Sequence, residues 1–181
     1  MRPNWKSAKN NVENLFRRGK WKSARLKIER ELRLAPNDHW LLTRLATTYY
    51  EDGEYKRALR ITQRAVRLAP KCPLVLWDYA CSLDMVGRHE EAIALWKRLL
   101  RRGVKTVAYG EHGEGIRWSR SLLNDCRYRI ALSYRKQGML NISLRYLRRH
   151  IAERGQGTPS IYGLADAKRE LARLLTERRP K

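Results

Sequence analysis

Glycine recurs at Gly19, Gly53 and Gly87, 34 residues apart each time, and alanine keeps step at Ala24, Ala58 and Ala92. A fixed period of this length corresponds to one helical hairpin, which constrains the chain to stack repeated units rather than close one irregular core. Other columns agree. Val12, Ala46 and Ala80 precede each glycine by seven residues, Trp21, Tyr55 and His89 follow it by two, and Leu32, Val66 and Leu100 by thirteen. In a packed antiparallel helix pair, glycine supplies the turn and the small residues allow close approach. Leu-Ala-Pro at 34–36 and 68–70 ends the second helix, because proline disfavours helical backbone in the residue before it.

A fourth unit lies out of phase. Ala131, Gly138 and Ser143 repeat the small, glycine, small spacing, but Gly138 follows Gly87 by 51 residues, an excess of 17 over the period. The excess is expected as a long loop over Val104–Leu123, where Val-Ala-Tyr-Gly-Glu-His-Gly-Glu-Gly at 107–115 interrupts the periodicity. From Ser160 to Arg178, apolar residues at Leu164, Ala167, Leu171, Leu174 and Leu175 have helical spacing, and Lys168, Arg169, Arg173 and Arg178 suit a solvated outside. This segment reads as a capping helix. The predicted fold is all-α: a right-handed α-solenoid of four helix-turn-helix repeats plus a C-terminal capping helix. It forms one domain over 4–178, with repeats at 4–36, 38–70, 72–103 and 123–155, an insertion at 104–122 and the cap at 160–178.

These columns resemble the tetratricopeptide repeat family. The unit from His39 to Pro70 matches best, with Leu42, Leu45, Ala46, Tyr49, Gly53, Tyr55, Ala58, Ala65 and Pro70 where that family's pattern expects them. The first unit departs at Ala8, Asn11 and Glu31, the third at Val104, and the fourth at Ser143, His150 and Gly155; the resemblance covers Asn4 to Gly155. It implies a scaffold whose first helices line a concave groove that receives a peptide or a helix of a partner. One subgroup of the family grips a terminal carboxylate with Lys, Asn, Asn, Lys and Arg. The aligned residues here are Lys9, Glu13, Arg44, Leu74 and Asp78, and two carboxylates at these positions would repel such a ligand.

Projected onto the groove, the first helices present Lys9, Trp40, Thr43, Thr47, Tyr50, Trp77, Cys81, Met85, Tyr128 and Arg135. Aromatic residues beside cations are typical of binding hot spots. The plain alternative is that the capping helix or packing between units buries these side chains. The second helices carry basic stripes at three- and four-residue steps: Arg57, Arg60, Arg64 and Arg67, then Lys97 and Arg101, then Arg145 and Arg148. Stacking would merge them into a convex ridge suited to a phosphate backbone, with a solvated arginine-rich face as the ordinary alternative.

Charge supports an anionic partner. The 181 residues hold 40 Lys plus Arg against 18 Asp plus Glu, a net +22. The function expected is a non-enzymatic scaffold binding an acidic protein or peptide in its groove; the alternative is a basic module binding RNA, DNA or a ribonucleoprotein through the arginine-rich face. No Gly-x-x-x-x-Gly-Lys loop or Gly-x-Ser-x-Gly elbow appears, and Glu111, His112 and Glu114 lack further residues at metal-ligand spacing, so no catalysis, metal or cofactor is expected. Cys72, Cys81 and Cys126 are odd in number and scattered, and no apolar run reaches membrane-spanning length, which points to a cytoplasmic chain.

Overall fold

A computed structural model describes residues 5–177, which form nine α-helices and no strand; the expected ends at Asn4 and Arg178 lie outside the described residues. The chain divides into two compact units after Ser82.

The first unit holds α1 (Trp5–Arg17), α2 (Trp21–Leu34), α3 (His39–Glu51), α4 (Tyr55–Leu68) and the part of α5 (Pro73–Met85) that ends at Ser82. Asp38 caps α3 by accepting the Leu41 N–H at 3.0 Å. In α4 the small residues Ala58, Thr62 and Ala65 are buried on one stripe, and arginines occupy the opposite one. The two Leu-Ala-Pro stops behave alike. Ala35 (φ −141°, ψ 75°) and Ala69 (φ −140°, ψ 68°) leave the helix in extended geometry before their prolines, while their N–H groups still reach Glu31 and Ala65 carbonyls.

The turn glycine of each hairpin takes a positive φ: Gly53 has φ +78°, and Gly19, Gly87 and Gly138 lie between +62° and +86°. An added Cβ at Gly53 would meet no atom within 4 Å, so substitution strains only the backbone. Gly53→Ala is expected to lower stability by about 1–2 kcal/mol in urea unfolding. An unchanged midpoint would show that the turn tolerates an L-residue.

Two clusters form this unit's core, one of Val12, Ala24, Ile28, Trp40 and Leu41, the other of Leu42, Ala65, Ala69, Cys72 and Val75. Arg25 ties one hairpin to the next. Its guanidinium donates to Thr48 Oγ1 (3.1 Å) and the Thr48 carbonyl (2.9 Å), pairs with Asp52, and lies 3.9 Å from the Tyr49 ring centroid.

The second unit starts with the tail of α5 and continues through α6 (His89–Tyr109), α7 (Ile116–Lys136), α8 (Leu140–Gly155) and α9 (Leu164–Glu177). Here the long loop expected over Val104–Leu123 is corrected: only residues 110–115 lie outside helix. The excess extends α6 and lengthens the start of α7. Gly103 (φ 72°, ψ 165°) kinks α6, after which Val107 and Ala108 are buried, as are Ser119, Leu122 and Leu123 at the start of α7. Those apolar positions keep helical spacing, and the glycines made the interruption look longer than it is. Trp96, Leu99 and Ile130 are fully buried.

The last hairpin packs Tyr128, Ala131, Leu144 and Leu147 against Ala167 and Leu174 of α9. His150 is buried, with Nδ1 3.0 Å from the Asn124 carbonyl, and burial depresses its pKa. Cys72, Cys81 and Cys126 are buried thiols that form no disulfide with one another. No described helix is long and apolar enough to cross a membrane.

Candidate functional site

In the first unit, α1, α3 and α5 contribute side chains to one first-helix face. Lys9 Nζ lies 5.2 Å from the Trp40 ring centroid. Arg44 lies 5.4 Å from the same ring and 5.5 Å from Phe16, and its Nε is 2.8 Å from Glu13 Oε1. Farther along, the Thr47 hydroxyl is 3.1 Å from the Thr43 carbonyl and 3.3 Å from Asp78 Oδ2, and its one proton serves only one of them at a time.

Asp78 is consequently under-served. Burial pushes its carboxyl up to about 7, opposed by Arg44 and Thr47 and reinforced by Glu13 and Glu51. Burial, then Asp52, also raises Glu51. Thus, among the described side chains, Glu13, Glu51 and Asp78 outnumber Lys9 and Arg44 on a face of a chain whose net charge is +22.

The expected groove residues meet different fates. Trp40 and Trp77, expected on the groove surface, are corrected: each is 7% exposed and belongs to the core, as does buried Cys81, while Thr47, Tyr50, Lys9 and Met85 are half-buried. Thr43, expected on the surface of the groove, is fully buried, with its hydroxyl donating to the His39 carbonyl at 2.7 Å. Tyr128 and Arg135 are covered by the C-terminal segment instead of open to a partner. Tyr128 stacks on Tyr162 at 4.2 Å, and Arg135 pairs with Glu170 and Glu177 of α9. Near them Asp125 accepts the Ser160 hydroxyl and the Ile161 N–H, and burial raises its carboxyl to about 6.

Along the expected ridge, Arg57, Arg60, Arg64 and Arg67 are all exposed on α4. Arg57 pairs with Glu54, and Arg64 donates to the Pro36 carbonyl at 2.6 Å. Arg101, Arg145 and Arg148 are exposed as well. Lys97 is corrected: it turns inward, half-buried, donating to the Tyr134 hydroxyl at 2.7 Å. Its aliphatic stem covers apolar surface and the phenol satisfies the ammonium.

The sequence reading missed two further features. The Asp84 side chain is 1% exposed and gathers His89 Nδ1 (2.7 Å), Lys136 Nζ (3.0 Å) and Arg129 (3.3 Å). Burial alone would raise this carboxyl, yet the hydrogen bonds, that of His89 foremost, and the Arg129 charge hold it below its ordinary value. The second is a pocket of about 560 Å³ on α8, where Arg127 from α7 joins Arg145, Arg148, Arg149, Asn141 and Tyr146. The spacing of the α8 arginines was legible; the arrival of Arg127 depends on how α7 pairs with α8.

The tetratricopeptide repeat family model matches residues 41–74. No curated protein sequence matches significantly. Among solved structures, a double mutant of MamA from RS-1 superposes with a TM-score of 0.69 at 14% identity, covering 98% of this chain and 86% of that one. MamA from Desulfovibrio magneticus RS-1, residue 41 to its end, gives 0.63 at 13% identity over 99% of both chains. A candidate kinesin light chain of Podosopora anserina with nearly identical TPR-like repeats gives 0.67 at 15% identity, covering 94% and 85%. Residues 41–74 are a tetratricopeptide repeat, and the described chain has the all-α fold of tetratricopeptide-repeat solenoids.

Proposed function

We propose that this protein is a non-enzymatic adaptor that holds an extended segment of a partner protein on the first-helix face of its N-terminal unit. Asp78 carries the reading: a carboxylate set among Thr47, Glu13 and Glu51, with one shared hydrogen bond and no contacting cation among the described residues. A lysine or arginine of the guest would complete it, while half-buried Tyr50 offers apolar surface alongside. The acidic guest expected from the overall charge fits this face poorly, because its carboxylates outnumber its cations. An acidic partner finds its complement on the second helices instead. Three buried thiols suit a reducing, cytoplasmic setting.

Panning a random peptide library against the full chain tests this. Selected peptides are expected to share a Lys or Arg next to an aliphatic or aromatic residue, and Asp78→Asn to weaken them by about tenfold or more. Selection of acidic peptides, or full binding by Asp78→Asn, would defeat the reading.

One observation favours a second reading, a nucleic-acid-binding module. Helix α4 carries Lys56, Arg57, Arg60, Arg64 and Arg67 and no carboxylate, a row of charge that suits a polyanion better than one acidic side chain.

A further inference from the structure

We propose that the arginine pocket on α8 is a phosphodiester site that takes a single-stranded nucleic acid, an inference that rests on the second reading above and gives it a location. Four arginines line it, Arg127, Arg145, Arg148 and Arg149. One carboxylate serves them: Glu153 Oε1 lies 3.2 Å from Arg149 Nε and 3.8 Å from Arg127. Among the described residues, Arg145 meets only the Tyr146 ring, at 5.8 Å, and Arg148 has no carboxylate partner. Burial, countered by Glu153, lowers the Arg127 pKa, and Arg149 adds to that lowering through like-charge repulsion. An incoming anion would relieve the crowding.

The geometry selects phosphate over a lone carboxylate. Guanidiniums bind phosphate oxygens through paired N–H donors, and several of them surround one tetrahedral anion more readily than a planar one. The pocket's size lies within the roughly 300–1,000 Å³ of small-ligand sites, which admits one nucleotide of a flexible strand. Leu144 and Ala152 line it beside Asn141 and Tyr146, a partly apolar wall of the kind single-strand binders set under a base. A polymer, rather than a phosphorylated peptide, is favoured because α4 bears a row of exposed cations of its own, with no carboxylate in that helix.

The test titrates the full chain with a short fluorescein-labelled oligouridylate and the matching oligothymidylate at several potassium chloride concentrations. Arg145, Arg148 and Arg149 are exposed, so the triple glutamine variant Arg145→Gln/Arg148→Gln/Arg149→Gln is expected to keep its helical circular dichroism and melting curve. It should bind at least one labelled strand about tenfold more weakly and flatten the log–log salt slope by about two, at about 0.7 per phosphate contact. Arg33→Gln/Arg120→Gln/Lys168→Gln removes the same charge at other exposed positions and should move binding far less. Equal weakening by the two triple variants would overturn the site. So would displacement of the strand by blunt duplex, or by a phosphoserine peptide, as effective as displacement by unlabelled strand. Loss of binding on Arg60→Gln/Arg64→Gln/Arg67→Gln, with none in the α8 variant, would overturn the pocket while sparing the second reading. Absence of binding by the unaltered chain at low salt would overturn both.

Discussion

Leu174→Asp is expected to lower the stability of the C-terminal unit by about 3–5 kcal/mol. Leu174 is fully buried among Tyr128, Ala131, Leu144 and Leu147, and burial of such a side chain contributes about 1.5–3 kcal/mol. An unpaired carboxylate in that setting adds a desolvation penalty of several kcal/mol. The total is bounded, because α9 can detach once its docking energy is exceeded. Detachment has its own signature: Lys168, Arg169 and Arg173 would become accessible to trypsin in a chain whose other helices stay folded. Leu175, 39% exposed and adjacent in sequence, is the control, and Leu175→Asp should change little. If both substitutions act alike, α9 does not hold the place described. The outcome also bears on binding, since Tyr128 and Arg135 become available to a partner only when α9 leaves.

Asp78→Asn is expected to stabilise the protein above neutral pH, contrary to the usual effect of removing a charge from a network. The carboxyl's ordinary value is 3.8 and its value in the fold is about 7. Between these, the folded state keeps a proton that the unfolded chain has released, so stability is full below about 4 and declines as pH rises to about 7. The asparagine variant lacks this decline. Paired urea titrations should coincide near pH 4 and diverge by about 1–3 kcal/mol at pH 8, allowing for the partial solvent access of Asp78. Subtracting variant from parent cancels the titration of the histidines and of groups that do not couple to Asp78. A loss of stability at pH 8 would mean that the carboxylate is ionised and well paired, leaving nothing for a guest cation to complete. The same experiment with a selected peptide present should narrow the gap, because a bound cation restores the ionised form.

The hairpins were legible because their signals are local. A glycine at positive φ, an alanine forced to extended backbone before proline, and small residues at a fixed step each act within a few residues of themselves, so Gly53, Ala69 and Ala58 read the same in sequence and in structure. The insertion was misread for the converse reason. Its glycines are local signals too, but Val107, Ala108 and Leu122 are buried where α6 and α7 pack across the short link, and that burial keeps the flanking segments helical.

Helical periodicity marked the faces but not their occupants. Arg135 and Tyr50 stand at the same repeat position, three residues before the turn glycine; one pairs with Glu170 and Glu177 of α9 and the other stays half-exposed. Lys97 and Arg101 belong to one basic stripe, yet only Lys97 finds a phenol at its tip. The sequence by itself determined the repeat, its turns, its helix ends and the excess of positive charge. Tertiary structure alone decided where that charge gathers, which carboxylates are stranded on the first-helix face, and that Arg127 joins the arginines of α8. Desolvation and charge pairing depend on neighbours brought together by packing, and a one-dimensional spacing carries no record of them.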